Sequence, residues 1–261
     1  MNQRAGAEID RLMDIMRRLR GADGCPWDRK QDHQSLAPYL LEETYEVLEA
    51  IDERDPEKLC EELGDLLLQI VFHARIAEEN GFFSMSDVEA RISDKLERRH
   101  PHVFGEVKVN GVSDVLRNWD QIKSAEKFRE SLLDGVPKAL PALQYAEKIQ
   151  QKAAKVGFQW SDIRGAWDKM KEEMDELKAS LKAEDADQEA VAEEVGDLLF
   201  AVVNVARYLH VHPEQALRKT SAKFEKRFRF MEDGAAGSGK RMSDLSLEEM
   251  DELWNEAKKS Q

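Results

Sequence analysis

The sequence predicts an all-α protein built as a tandem pair of duplicated helical-bundle domains. Three observations predict it. Five blocks of the first half recur in the same order in the second half. Apolar residues follow helical spacing through both halves. Strand-like alternation is scarce, the best candidate being GEVKVNGV at 105 to 112, read as a short hairpin or a loop.

The blocks justify the duplication in turn. GCPWD (24 to 28) faces GFQWSD (157 to 162), and LLEETYEVLEAI (40 to 51) faces MKEEMDELKASL (170 to 181). CEELGDLLLQIVF (60 to 72) faces AEEVGDLLFAVVN (192 to 204), and ISDKLERRHPHVF (92 to 104) faces TSAKFEKRFRFME (220 to 232). VLRNWDQIK (115 to 123) faces MDELWNEAK (250 to 258). The first helix opens the chain, with Ile9, Leu12, Met13, Met16 and Leu19 on one face. Turn signals stand at Asp55-Pro56, Asn80-Gly81, Asn110-Gly111 and the glycine-rich stretch 234 to 239. Gly135, Pro137 and Pro141 punctuate the seam. We therefore expect a first domain at 1–123, a linker at 124–140 and a second domain at 141–261.

Composition narrows the function. With 261 residues and a net charge of −14, the chain is a poor match for a nucleic-acid surface, which needs clustered Lys and Arg. Hydrophobic residues are 41% and charged residues 35%, and no apolar run reaches transmembrane length, so no membrane partner is expected. The start lacks an uninterrupted apolar stretch of signal-peptide length. Two cysteines, Cys25 and Cys60, imply no disulfide framework and read as small apolar fillers. These features together predict a cytoplasmic location.

EELGDLLLQIVF raises the central question, because Glu61, Glu62 and Asp65 lead directly into a helix apolar enough to be buried. The same arrangement returns in EEVGDLLFAVVN. The first half carries Glu42, Glu43 and Glu46, then Glu62 and Asp65; the second carries Glu172, Glu173 and Glu176, then Glu194 and Asp197. Residues three or four apart share a helical face, so two acidic patches on neighbouring helices converge into an oxygen-rich pocket. A hard cation such as Mg²⁺ suits that donor set and supplies the missing counter-charge. Two solvated acidic faces are the alternative reading. Gly64 and Gly196, at equivalent mid-helix positions, suggest close approach of another backbone or a ligand.

Basic residues follow at a similar distance in each half. Lys95 with Arg99, and Lys223 with Arg227, each share a helix face, a kit for holding a polyphosphate or for salt bridges to neighbouring helices. Trp119 and Trp254 correspond, and each either stacks on a nucleobase or packs within its bundle.

These motifs resemble the MazG family. Glu42-Glu43-x-x-Glu46 is followed by Glu62-x-x-Asp65, and Glu172-Glu173-x-x-Glu176 by Glu194-x-x-Asp197, similar to that family's EExxE…ExxD signature. GCPWD, LEETYE, GDLL, KLERRHPHVF and KFEKRF resemble it too. The resemblance implies an all-α nucleoside triphosphate pyrophosphatase fold, a homodimer, and Mg²⁺-dependent hydrolysis of an NTP or dNTP to the monophosphate and pyrophosphate, in control of nucleotide pools. It implies that the second domain is the main catalytic unit, with Glu173, Glu176, Glu194 and Asp197 as metal ligands. Lys169, Glu172, Lys223, Arg227 and Trp254 would surround the nucleotide, and Glu172 would orient or deprotonate the attacking water. A second site in the first domain would use Glu42, Glu43, Glu46, Glu62, Asp65, Lys95, Arg99 and Trp119.

Two alternatives stay open at this point, a non-catalytic nucleotide sensor or interaction scaffold, and a deoxyuridine triphosphatase-like hydrolase. GAAGSGKR (234 to 241) imitates a phosphate-binding loop, but Arg241 stands where the metal-binding Ser or Thr belongs and a helix precedes it, so a flexible loop is expected. Glu97-x-x-His100 imitates a di-iron pair, but Phe228 replaces the histidine in the second half.

Overall fold

The computed structural model describes residues 2–126, 130–182 and 187–260. Those residues form two compact units, 1–128 and 129–261. In the first unit the helices are α1 (Asn2–Leu19), α2 (Pro26–Lys30), α3 (His33–Glu53), α4 (Pro56–Glu79), α5 (Met85–Arg99), α6 (Pro101–Phe104) and α7 (Val112–Ala125). In the second they are α8 (Ala142–Lys155), α9 (Ile163–Ser180), α10 (Gln188–Tyr208), α11 (Pro213–Gly237) and α12 (Leu247–Lys259), with a 3₁₀ turn at Met242–Asp244. Among the described residues there is no strand, and residues 105 to 111 form an irregular connection into α7. No described helix is long and apolar enough to cross a membrane. Residues 127–129 of the expected linker lie outside the described residues.

Local chemistry sets the helix boundaries. The Asp32 carboxylate accepts from the backbone N–H groups of Gln34 and Ser35 and caps α3 (2.9 and 2.8 Å). Asp55 caps α4 in the same way, with Pro56 in the first helical position, where its missing N–H costs nothing. Arg54, at φ 59°, closes α3 in the left-handed conformation, so a two-residue turn folds α3 against α4. Asp162 and Asp187 cap α9 and α10, the corresponding pair. Ser84 with Asp87, and Ser246 with Glu249, form reciprocal capping boxes on α5 and α12.

Packing follows the duplication. α3 pairs with α4, and α9 with α10, as the central hairpin of each unit; α1 lies on α4, and α8 on α10. In the first unit Met16, Leu36, Val71, Phe72 and Ile76 form a closed apolar core.

Three sequence expectations need correction. Gly64 and Gly196 have nothing within 4 Å of a Cβ position among the described residues, so no other backbone of this chain makes the close approach expected of one. Cys60 is exposed and fills no core space, while Cys25 is half-buried. Residues 234 to 237 are the last turn of α11 rather than a loop. The physical reason is packing: the Leu253 side chain of α12 lies against the bare Cα of Gly234, and Ala235 is buried beside it.

Candidate active site

The α9–α10 hairpin brings together three acids from separate parts of the sequence. Glu173 from α9 and Glu194 and Asp197 from α10 each offer an oxygen, and these oxygens all lie within 4.8 Å of one another. Helical periodicity explains the α10 pair, since positions three apart lie on one face. Glu173 is 5% exposed. Its companion Glu176, one turn along, shares a hydrogen bond with it, and burial followed by that bond raises the Glu176 pKa above the ordinary glutamate value. The first unit repeats the arrangement with Glu43, Glu62 and Asp65. Burial first, then the hydrogen bond to Glu46, raises the Glu43 pKa; burial and the charge of Glu46 raise that of Glu62.

Such a donor set fits a hard divalent cation. Carboxylate oxygens are the ligands Mg²⁺ prefers, and crowded anions with raised pKa values are the electrostatic situation a cation relieves. Glu173, Glu194 and Asp197 would hold it, with Glu176 completing the oxygen-rich wall.

Around the acids the two units differ. Lys169 Nζ lies 2.6 Å from both Glu172 and Glu173, and these two carboxylates raise its pKa. The equivalent position in the first unit is Tyr39, whose ring meets Trp27 edge-on. There, besides its hydrogen bond with Glu46, Glu43 receives a long contact from Gln69 Nε2, at 3.5 Å. Glu172 and Glu42 are exposed at the rim of their clusters.

Beside the second acidic group opens a cavity of about 770 Å³ whose lining includes Glu173, Asp197 and Lys169. Its apolar walls are Ile149 and Ala153 of α8, Phe158 and Trp160 of the following turn, and Phe200 and Ala201 of α10. Polar groups enter from Gln150, Gln159, Asn204 and Arg207. Gly165 makes room for Trp160, since a Cβ there would overlap the indole, and Tyr208 donates to the Trp160 carbonyl (2.7 Å). Arg207 donates to Gln159 Oε1 at 2.9 Å and Asn204 Oδ1 at 3.1 Å. A half-open, mostly apolar cleft with a few convergent polar groups suits a small organic ligand.

At the corresponding α4 positions the first unit carries Gln69 and Phe72 in place of Ala201 and Asn204. Both are buried, and Phe72 packs against the Met16 core with the Arg20 guanidinium over its ring.

The remaining sequence candidates cluster elsewhere. Lys223, Arg227 and Trp254 do not line the cavity. Trp254 packs on Phe224, with the Arg227 guanidinium 5.6 Å and the Lys258 ammonium 5.9 Å from its ring centroid. In the first unit Arg99 sits over Trp119 and is bound bidentately by Glu126, whose pKa the arginines Arg99 and Arg98 lower to about 2. Lys95 lines a smaller hollow with Phe83 and Arg91. His100 packs against Trp119 and the His102 ring, and among the described residues it joins no group of three or more metal-type ligands.

Apart from Lys169, Glu173 and Asp197, the cavity lining is not among the residues the sequence motifs single out. Two signals were present: Trp160 falls in a repeated block, and Asn204 replaces an aromatic of the other repeat.

Comparison with known proteins matches the sequence to a family domain. The model of the MazG nucleotide pyrophosphohydrolase domain matches residues 31–104 and 166–229. The chain is 49% identical over 258 residues to the nucleoside triphosphate pyrophosphohydrolase of Escherichia coli K12, covering 97% of this chain and 98% of that one. It is 46% identical over 256 residues to the nucleoside triphosphate pyrophosphohydrolase/pyrophosphatase MazG of Thermotoga maritima, covering 97% of each. It is also 52% identical over 256 residues to protein YabN of Bacillus subtilis, where the match takes 97% of this chain and 52% of that longer protein.

Proposed function

This chain belongs to the MazG nucleotide pyrophosphohydrolase family, and from that premise we propose that its second unit holds the phosphates of a nucleoside triphosphate at Glu173, Glu194 and Asp197 and the nucleoside in the adjoining cavity. The enzyme is a nucleoside triphosphate pyrophosphohydrolase: water adds at the α-phosphorus, the bond to the bridging α,β-oxygen breaks, and monophosphate and pyrophosphate leave. The observation that carries the placement is the continuity of the acidic group with an aromatic-walled cavity in the second unit.

Mg²⁺ is the cation proposed for Glu173, Glu176, Glu194 and Asp197; when bound it would neutralise phosphate charge and acidify a water. The chain's own residues do the rest. Glu172, exposed and outside the three-acid group, accepts the proton of the attacking water. Lys169, between Glu172 and Glu173, turns from the acids to the phosphates when substrate arrives. Lys223 and Arg227, with Trp254, present cations to the leaving pyrophosphate. Trp160 and Phe200 exclude water from the nucleoside. The reading covers ribo- and deoxyribonucleotides, acting in nucleotide-pool control in the cytoplasm.

A homodimer is part of the proposal. Val195, Leu199 and Val202 make an exposed apolar ridge on α10, and Leu63 and Ile70 repeat it on α4. A ridge of that kind supports self-association.

The test is product analysis with several NTPs and dNTPs, with and without Mg²⁺, assaying pyrophosphate and orthophosphate separately. Pyrophosphate release that depends on Mg²⁺ and is lost in Glu173→Ala but kept in Glu43→Ala is expected. Orthophosphate as the sole product would overturn the reaction, and full turnover by Glu173→Ala would overturn the site.

A further inference from the structure

We propose that His33 and His73 form a proton-operated latch between α3 and α4, closed while the pair is neutral. The first proton it takes up opens it, so mild acid loosens the first unit and leaves the second closed. The hairpin it holds is the one that carries Glu43, Glu62 and Asp65.

The two histidines meet at the end of the hairpin away from its turn at Arg54 and Asp55. His33 is the first residue of α3, and His73 lies on α4, 40 positions later. Their Nδ1 atoms are 2.8 Å apart, and the rings lie nearly parallel with centroids separated by 5.1 Å. So short a contact between ring nitrogens needs one hydrogen between them, with one ring donating and the other accepting. The second nitrogen of His73, Nε2, is buried and among the described residues has no hydrogen-bond partner. A bare lone pair costs less there than an unpaired N–H. This assigns the hydrogens: His73 donates from Nδ1, and His33, an exposed residue, carries its own on Nε2.

Counting hydrogens shows why a proton opens the pair. A further hydrogen can keep the Nδ1 contact only if both Nε2 atoms are protonated. That places an N–H of a cationic pair at the buried His73 Nε2, with nothing to receive it. Separating the rings is the alternative. Burial first, and then the charge of His33, hold the His73 imidazole below the ordinary histidine value of 6.5. A group depressed on folding stabilises the fold above its unfolded value, and that contribution is lost as pH falls below 6.5. The charged groups on the surrounding elements have other partners. Asp32, beside His33, caps α3; Arg20 of α1 and Arg75 of α4 both bind Glu79; and Asp87 caps α5. Glu43 and Glu62, with raised pKa values, respond to acid in the opposite direction. The second unit carries Ile163 and Val205 at the positions of His33 and His73, and neither takes a proton. Its own histidine contact has the reverse sense. His212 Nδ1 lies 2.9 Å from the buried Glu147 carboxylate, and a proton there completes an ion pair.

The experiment is peptide-resolved hydrogen exchange on the full-length wild type and on His33→Ile/His73→Val, at about pH 7.5 and about pH 5.5. Intrinsic exchange changes with pH alike in both units, so the reading is the protection of α3 and α4 relative to α9 and α10. We expect acidification to lower that ratio by about 5-fold or more in the wild type and by less than about 2-fold in the variant. An unchanged ratio in the wild type overturns the inference. An equal fall in the variant does so too, because it assigns the effect to other groups of the first unit, such as His100 and His102. Imidazole nitrogen spectra of the wild type, with six histidines to assign, need no substitution and decide the matter even if the variant folds poorly. A bare His73 Nε2 at neutral pH, with the shared hydrogen lost as the pair gains a proton, is expected. A protonated His73 Nε2 at neutral pH, or a shared hydrogen that survives protonation, overturns the latch.

Discussion

Lys169 Nζ lies 2.6 Å from a carboxylate oxygen of Glu173, and the enclosed acid at the centre of the second cluster thus has an internal counter-charge. The first unit places Tyr39 at the equivalent position and leaves Glu43 with a 3.5 Å contact from Gln69. The same five-acid pattern is therefore set in two electrostatic environments.

Replacing Lys169 with Met should expose that difference. The Glu173 carboxylate loses its cation while remaining buried, and breaking an ion pair from one side costs more than the pair is worth. Because Lys169 is itself partly exposed, we expect a destabilisation of about 1 kcal/mol, a fall of roughly 3 °C in Tm, in cation-free buffer. Saturating Mg²⁺ should restore most of it. An equal loss with and without Mg²⁺ would show that Lys169 does not compensate the acid.

Cation binding should weaken on acidification above the range of ordinary glutamates. Glu176 and Glu43 have folded pKa values raised above 4.5, mainly by burial and then by a neighbouring carboxylate. In the cation-free protein their contribution to stability is present below 4.5 and lost as pH rises through the elevated value. A divalent ion needs the ionised form, so below the elevated value it must displace a proton. Calorimetric titration with Mg²⁺ between neutral pH and 4.5 should show proton release that grows as pH falls, with affinity dropping in step. Constant affinity across that window would contradict it.

Gly165 should be intolerant of a side chain. A Cβ at this position overlaps the Trp160 ring, which forms a wall of the cavity. Gly165→Ala removes a glycine from the first turn of α9 and on propensity alone should stabilise the helix by up to about 1 kcal/mol. We expect instead a displaced indole and a KM for nucleotide raised about 10-fold, because a small misplacement of a binding wall is costly. Tryptophan fluorescence and steady-state kinetics read the two effects.

Filling the cavity with the first unit's residues should silence the second. In Ala201→Gln/Asn204→Phe the buried side chains of α4 are transplanted onto α10. Pyrophosphate release should fall by about 100-fold or more as nucleoside contacts are lost, while Mn²⁺ or Mg²⁺ binding persists. Retained activity would place the nucleoside outside the cavity.

The exposed ridge on α10 gives a solution test. Leu199 is 50% exposed between Val195 and Val202. Sedimentation of the wild type should give a dimer, and Leu199→Glu should shift it toward monomer, since an unpaired charge in an apolar interface is costly.

What the sequence by itself determined about this protein is periodic and repeated. Capping acids at Asp55, Asp162 and Asp187, apolar stripes and the spacing of Glu62 with Asp65 or Glu194 with Asp197 act within a turn or two of helix, so helices, duplication and acidic faces were all readable. The tertiary structure decided what depends on distant partners. Gln150 looks like any polar residue of α8 until the Phe200 carbonyl of α10 takes its amide N–H and leaves Oε1 buried. Arg99 looks like a phosphate ligand until Glu126 binds it. Gly64 and Gly196 suggested close approach of a backbone or a ligand on local cost alone, and among the described residues no other backbone comes within 4 Å. Local propensities follow from neighbours along the chain, whereas burial and pairing follow from which helices meet. The difference between a filled core at Phe72 and an open pocket at Asn204 is of the second kind.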